Sequence, residues 1–248
     1  MSNSYFQFKQ FTIHQDRSAM KVTTDSCLFG AWVADRINTE KITINNCLDI
    51  GTGTGLLSLM LAQKIEATID AIEIEEKAAQ QAIENVANSC WENSINISPT
   101  NATKFISKSY YDLIISNPPF YKNELKSPKE ERNIAHHSEE LSLENLLTVI
   151  KKHLSPTGIF TLLLPYKRLD ELKKLLIDYG FSLSQITMVK QSVSHDFFRI
   201  MLIGKLKSGE IIEPVTDELA IKEDSKNGLP PAYTPEFIRL LKDYYLHL

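Results

Sequence analysis

Five short apolar runs alternate with helical segments between Asn46 and Tyr179, and no other feature of the chain restricts its fold as much. Asn46 to Ile50, Thr68 to Glu73, Ile95 to Ile97, Asp112 to Ser116 and Gly158 to Leu164 read as strands. Leu56 to Lys64, Glu75 to Ser89, Leu141 to His153 and Leu169 to Tyr179 read as helices. In the second of these, Ala78, Ala79, Ala82, Ile83 and Val86 recur at three- and four-residue steps. Two further stretches, Leu183 to Val193 and Phe197 to Leu206, are separated only by Ser194-His195-Asp196, the spacing of an antiparallel hairpin at a sheet edge. The pattern predicts an α/β fold: a seven-stranded, mostly parallel sheet with an antiparallel terminal hairpin and helices on both faces. A short helix is expected from Pro235 to about Leu246. The chain reads as a single domain, with an N-terminal cap segment (1–44), a core (45–206) and a C-terminal extension (207–248).

Bulk properties narrow the function classes. The net charge of −4 argues against a protein that coats nucleic acid indiscriminately, though it permits a local basic patch. No apolar run is long enough to span a membrane, and Met1 to Tyr5 lacks the basic and apolar regions of a signal peptide. The three cysteines, Cys27, Cys47 and Cys90, form no C-x-x-C pair, so neither a disulfide framework nor a metal site is expected and a cytoplasmic setting is the simplest account.

The chemistry-bearing residues fall at strand ends. Asp49-Ile50-Gly51-Thr52-Gly53-Thr54-Gly55 joins the first strand to the first core helix. Its spacing is G-x-G-x-G rather than the G-x-G-x-x-G of dinucleotide binders, and Asp49 would repel a pyrophosphate. S-adenosylmethionine instead brings an ammonium and a sulfonium, which a carboxylate favours. Glu73 ends the second strand, where a carboxylate can accept both ribose hydroxyls. Asn101-Ala102 follows the third strand and can hold the adenine amino group. The expected cofactor set is Asp49, Gly51, Gly53, Gly55, Glu73, Ile74, Asn101, Ala102 and Asn117, with Thr24 and Asp25 from the N-terminal segment.

Asn117-Pro118-Pro119-Phe120 follows the fourth strand. Proline has no N–H to donate, so two prolines end the ladder in a rigid turn. An Asn before them and an aromatic after them supply an acceptor, a donor and a flat face, the parts needed to grip a planar group bearing an –NH2. The tetrapeptide alone reads equally as a loop after a core strand. Asp49, Glu73, Asn101 and Asn117 stand at four consecutive strand ends, and open α/β sheets bind ligands there. The expected catalytic set is Asn117, Pro118, Pro119 and Phe120, and the expected substrate contacts are Phe120, Tyr121, Lys122, Lys126, Lys129 and Arg132. Phe6, Phe8 and Phe11 read as core or edge-strand residues, and His136-His137 as loop. Thr24 or Asp25 is expected to open a helix running to about Arg36.

On these residues the chain resembles the Rossmann-like class I S-adenosylmethionine-dependent methyltransferases. Asp49 to Gly55 looks like their cofactor loop, Glu73 like their ribose acid, and Asn117-Pro118-Pro119-Phe120 like the [N/D/S]-P-P-[Y/F/W] motif of amino-group methyltransferases. Phe6 to Phe11, Asp16 to Asp25 and Leu28 to Trp32 are similar to the N-terminus of the bacterial tRNA1(Val) (adenine(37)-N6)-methyltransferases. Tyr233-Thr234 and Tyr244-Tyr245-Leu246 are similar to their C-terminus. The resemblance implies N6-methylation of adenine 37 in tRNA, with tRNA as partner; the residues themselves suggest no metal and no membrane span, and nothing in them requires more than a monomer. The resemblance places Lys21 to Asp25 over the cofactor. Relatives usually carry Asp where this chain has Asn101. Rival readings are methylation of a protein glutamine, methylation of adenine in rRNA or DNA, and a cofactor-binding RNA chaperone without turnover. Glutamine-modifying enzymes usually carry a longer helical segment before the loop, and the intact Asn117 turn argues against the chaperone.

Overall fold

A computed structural model describes residues 3–119, 141–209, 213–225 and 230–248. Phe120, Tyr121, Lys122, Lys126, Lys129, Arg132, His136 and His137 lie outside the described residues.

The predicted alternation forms one sheet. Its strands are β3 (Asn46–Ile50), β4 (Thr68–Glu73), β5 (Ile95–Pro99), β6 (Tyr111–Ser116), β7 (Leu154–Pro165), β8 (Phe181–Ser192), β9 (Phe197–Leu206) and β10 (Val215–Lys222), in the order β10-β8-β9-β7-β6-β3-β4-β5. All its neighbouring pairs are parallel except the two made by β9. The chain runs outward from β3 through β4 to β5, then crosses back to β6 on the other side of β3. This reversal puts the topological switch point between β3 and β6, where such sheets bind ligands.

Two expectations are corrected. The sheet has eight strands rather than seven, because β10 adds to β8 in parallel. For the same reason the β8–β9 hairpin is not at the sheet edge. Val215–Lys222 carries Asp217, Glu218 and Lys222, and only Leu219 and Ile221 are buried, so this half-solvated edge strand shows no apolar run.

Helices cover both faces. α1 (Thr24–Thr39), α2 (Leu56–Ala62) and α6 (Pro235–Leu241) contribute to one buried cluster, together with Val86 of α3 (Glu76–Ala87). α4 (Leu143–His153) and α5 (Leu169–Tyr179) bury their apolar stripes in the other. α1 is buried from Ser26 to Ala34 because it is packed between α2 and α6.

The two ends of the chain meet. β1 (Tyr5–Gln7) and β2 (Thr12–His14) form a separate antiparallel pair. Phe8 and Phe11 are buried and stacked at 4.5 Å, as expected of core residues. Phe8 bridges to Tyr245, and the Tyr244 hydroxyl donates to the Met60 carbonyl at 3.0 Å. Thr234 caps α6 by accepting from the Phe237 N–H at 3.2 Å, with Pro235 in the first turn.

Candidate functional site

Four strand ends are tied into one platform. The Thr100 N–H donates to the Glu73 carbonyl (2.8 Å), joining the ends of β5 and β4. The Gly51 and Thr52 N–H groups donate to the Ile72 carbonyl (2.8 and 3.1 Å), joining the β3 loop to β4. The Ser116 hydroxyl donates to the Ile50 carbonyl at 2.7 Å, joining β6 to β3. Asp49, Glu73, Asn101 and Asn117 are thus brought to one edge, as predicted from their strand positions.

The loop itself needs glycine. Gly51, Gly53 and Gly55 have φ of +73°, +58° and +83°, a region that costs other residues about 1–2 kcal/mol. A Cβ built on Gly51 or Gly53 meets nothing within 4 Å, so open space adjoins the backbone at both. On Gly55 it would touch Ala82 of α3 at 3.6 Å, which fixes how closely the loop approaches that helix.

Asp49 is fully buried. Its Oδ2 accepts from the Thr52 and Ser58 hydroxyls, each at 2.7 Å, while its Oδ1 has no partner. Burial pushes its pKa up to about 6, against the pull of the two hydroxyls, and Glu73 adds like-charge repulsion. A buried carboxylate with an empty oxygen fits a cationic group, and no protein cation is bonded to it among the described residues.

Glu73 is half-buried. Its Oε2 accepts from the Gly53 N–H and its Oε1 from the Glu75 N–H, both at 2.9 Å, so it is held in place with lone pairs left for further donors. Ile74 beside it is 48% exposed, an apolar side chain left in the open at the mouth of the loop. Asn101 caps the 3-10 helix Ala102–Lys104: its Oδ1 accepts from the Thr103 N–H (2.9 Å) and hydroxyl (2.8 Å). The side-chain oxygen is therefore engaged, while the –NH2 group makes no hydrogen bond among the described residues.

Asn117 carries another of the unpaired buried polar atoms. Its Oδ1 is buried without a partner, whereas the Ser116 hydroxyl beside it has one in the Ile50 carbonyl. A buried acceptor left unpaired costs about 1–3 kcal/mol, so the turn holds a group at some expense to stability. Pro118 is buried and Pro119 exposed.

The N-terminal block differs in one detail. The cap of α1 is Thr23, whose backbone is extended (φ −119°, ψ 154°) and which exchanges bonds reciprocally with Ser26. Thr24 and Asp25 are therefore the first two helical residues, not the cap, and the helix runs to Thr39 rather than Arg36. Asp25 is ion-paired with Arg199 at the start of β9 (2.7 Å), which ties α1 to the same edge of the sheet.

Sequence reasoning missed three residues here. Gln81 and Asn85 of α3 are almost fully buried. The Asn85 Nδ2 donates to both the His14 and Thr54 carbonyls and its Oδ1 accepts from the His14 N–H, all at 2.9 Å. The Gln81 Oε1 accepts from the Arg17 N–H at 2.8 Å. These two amides clamp the N-terminal segment onto α3 and the glycine loop. Two amides one turn apart beside an alanine stripe were the available signal. Arg199 is the third, and a lone arginine in an apolar strand carries no periodic signal.

No group of metal-binding side chains and no helix long and apolar enough to cross a membrane occurs among the described residues. A shallow cleft of about 420 Å³, lined by Thr148, Lys151, Lys152, Asp178 and Tyr179, lies at the C-terminal ends of α4 and α5. That is the opposite edge of the sheet from Asp49 and Asn117.

Residues 31–173 match the family described as Methyltransferase small domain. A tRNA1(Val) (adenine(37)-N6)-methyltransferase of Phocaeicola vulgatus is 38% identical over 248 residues, covering 100% of both chains. Enzymes of the same name from Dyadobacter fermentans and Trichodesmium erythraeum are each 39% identical, covering 98% and 99% of both chains. Among solved structures, a predicted O-methyltransferase from Agrobacterium tumefaciens superposes with a TM-score of 0.65 at 18% identity, covering 88% of this chain and 96% of that one. The glycopeptide N-methyltransferase MtfA complexed with S-adenosyl-L-methionine gives 0.53 at 11% identity, covering 71% and 94%. At these identities the two structures speak for the fold alone.

Proposed function

Because this chain belongs to the tRNA1(Val) (adenine(37)-N6)-methyltransferase family, we propose that it methylates N6 of adenine 37 in tRNA1(Val), using S-adenosylmethionine. The observation that carries the chemistry is the pair of buried, unpartnered oxygens at neighbouring strand ends, Asp49 Oδ1 and Asn117 Oδ1. One suits a cation and the other suits an N–H donor; β3 and β6 are paired neighbours, and Asn117 follows two residues after Ile115, the ladder partner of Asp49.

The residues present fit the cofactor. Gly51 and Gly53 leave open space beside the loop, Asp49 would face the ammonium, and Glu73 would accept from the ribose hydroxyls. Ile74 would lie against the adenine, with Ala102 and the Asn101 –NH2 beside a ring nitrogen. Thr24 and Asp25 would close over the methionine end. The cofactor supplies an electrophilic methyl on sulfur.

The protein's own part is to hold the acceptor. The lone pair of an adenine N6 is delocalised into the ring. The Asn117 Oδ1 and the Pro118 carbonyl would each accept one N–H, fixing the nitrogen and favouring its pyramidal form. Phe120 would stack on the extruded base, worth about 1–3 kcal/mol. The methylated amine is itself acidic, so no strong general base is needed. Positioning and electrostatics carry the rate. Tyr121, Lys122, Lys126, Lys129 and Arg132 would contact the RNA. The chain acts as one methyltransferase unit, as a monomer in the cytoplasm.

Two measurements bear on this reading. Purified protein is incubated with tritiated S-adenosylmethionine and, separately, tRNA, rRNA, DNA and release factor from a strain lacking the gene. Label is expected in tRNA; label confined to protein would refute the RNA reading. Gly53→Ala is expected to weaken cofactor binding about tenfold or more, by placing a methyl in the open space and straining a +58° φ. Calorimetric titration reads the affinity, and unchanged binding would remove the loop from the site.

A further inference from the structure

The strand ends next to the Asn117 turn carry a row that the described function does not use. Lys190 lies two residues before the end of β8, Phe197 opens β9 and Tyr166 follows β7, and these strands are consecutive neighbours leading to β6. The Lys190 Nζ lies 4.5 Å from the Phe197 ring centroid, and the Phe197 and Tyr166 rings are 5.1 Å apart. In the ladder Lys190 stands opposite Phe197, and β7 runs three residues past Leu162, the partner of Ser116, before Tyr166 begins. Tyr166 is therefore about 10 Å beyond the level of Asn117, at roughly 3.3 Å per residue.

All three residues are half-buried, so part of each is open to solvent, and Tyr166 also packs against the buried cluster of α4 and α5. Successive strand residues point to opposite faces, and while Phe198 packs against the core with Arg199 over its ring, Phe197 turns the other way. Lys190 also meets Glu218 at 2.9 Å, but that carboxylate is largely exposed and such a pair is worth little against a phosphate.

A cation followed by two aromatic faces along one edge is the pattern that holds unpaired nucleotides: charge for a phosphate, flat rings for bases. The geometry points to Tyr166 and Phe197 as a stacking platform, with Lys190 as its phosphate contact, for the loop nucleotides next to the methylated adenine. This inference rests on the RNA reading above. It assigns substrate affinity to residues outside the Asn117 turn and outside the basic segment after it.

The test is steady-state kinetics on the full chain with tRNA1(Val), beside fluorescence-anisotropy binding of a labelled anticodon stem-loop. Tyr166→Ala and Phe197→Ala are each expected to raise KM for tRNA and Kd for the stem-loop about tenfold or more, with cofactor affinity unchanged. Tyr166→Phe, which keeps the ring, is expected to stay near the wild type. Lys190→Gln is expected to lower the slope of log Kd against log salt by about one. If the wild type methylates tRNA but the alanine variants keep its KM and Kd, the platform is wrong and the function stands. If Tyr166→Ala misfolds, losing cofactor affinity as well, Phe197→Ala and Lys190→Gln decide, and wild-type binding by both overturns the platform. Failure of the wild type to bind or methylate any tRNA would instead refute the function.

Discussion

Asn117→Ala is expected to lower methyl transfer to tRNA by about two to three orders of magnitude, the loss seen when one preorganised group at a reacting centre is removed. The fold is expected to tolerate it. The Asn117 Oδ1 is buried and unpaired, so its removal relieves a desolvated acceptor instead of breaking a bond. The melting temperature should therefore hold or rise slightly, and cofactor affinity should stay within a few-fold of the wild type. Single-turnover kinetics, calorimetric titration and thermal melts separate the three quantities. Parallel loss of stability and binding would assign Asn117 a structural role and remove the acceptor from the site.

Asp49→Asn is expected to divide stability from function more sharply. The carboxyl is fully buried and its pKa is lifted to about 6 from an ordinary 3.8, because desolvation outweighs the Thr52 and Ser58 hydrogen bonds. The sign follows from linkage. A folded pKa above the unfolded value means the folded state binds the proton more tightly. This group's contribution is therefore most favourable below about pH 4 and is lost as pH rises through 6. A shift of this size corresponds to about 3 kcal/mol at neutral pH. The variant removes the charge and keeps the shape. Without cofactor it should be more stable than the wild type at pH 7.5, and the difference should vanish near pH 4. Its affinity for S-adenosylmethionine should fall by about a hundredfold, the magnitude of one buried charge-assisted contact. A variant that is less stable at neutral pH, or that binds the cofactor normally, would contradict the role given to Asp49.

These two residues were legible because strand ends are legible. The buried strands of a parallel sheet read as nearly continuous apolar runs, so β3, β4, β6 and β7 could be placed to within a few residues and the polar groups following them identified, and the short Ile95-Asn96-Ile97 alternation marked β5. Thr68–Glu73, Leu169–Tyr179 and Phe197–Leu206 fall where the periodicity puts them. β10 was not legible, because an edge strand bearing Asp217 and Glu218 buries little and shows no run. Thr23 was hidden for another reason: Thr23 and Thr24 are adjacent and either can cap, and backbone geometry decides between them. The clamp of Gln81 and Asn85 and the Asp25–Arg199 pair join segments far apart in sequence, which local pattern cannot report. The resemblance chose adenine over glutamine as the acceptor, since the Asn117 turn alone suits any planar amine.

Position-resolved mass spectrometry of tRNA1(Val) tests the central claim most directly. The tRNA would be purified from a strain lacking the gene and from the same strain carrying either the wild type or Asn117→Ala. N6-methyladenine is expected at position 37 with the wild type, and its absence in the deletion strain and with the variant. An unmodified adenine 37 in the complemented strain, or a modification there that persists in the deletion strain, would contradict the account.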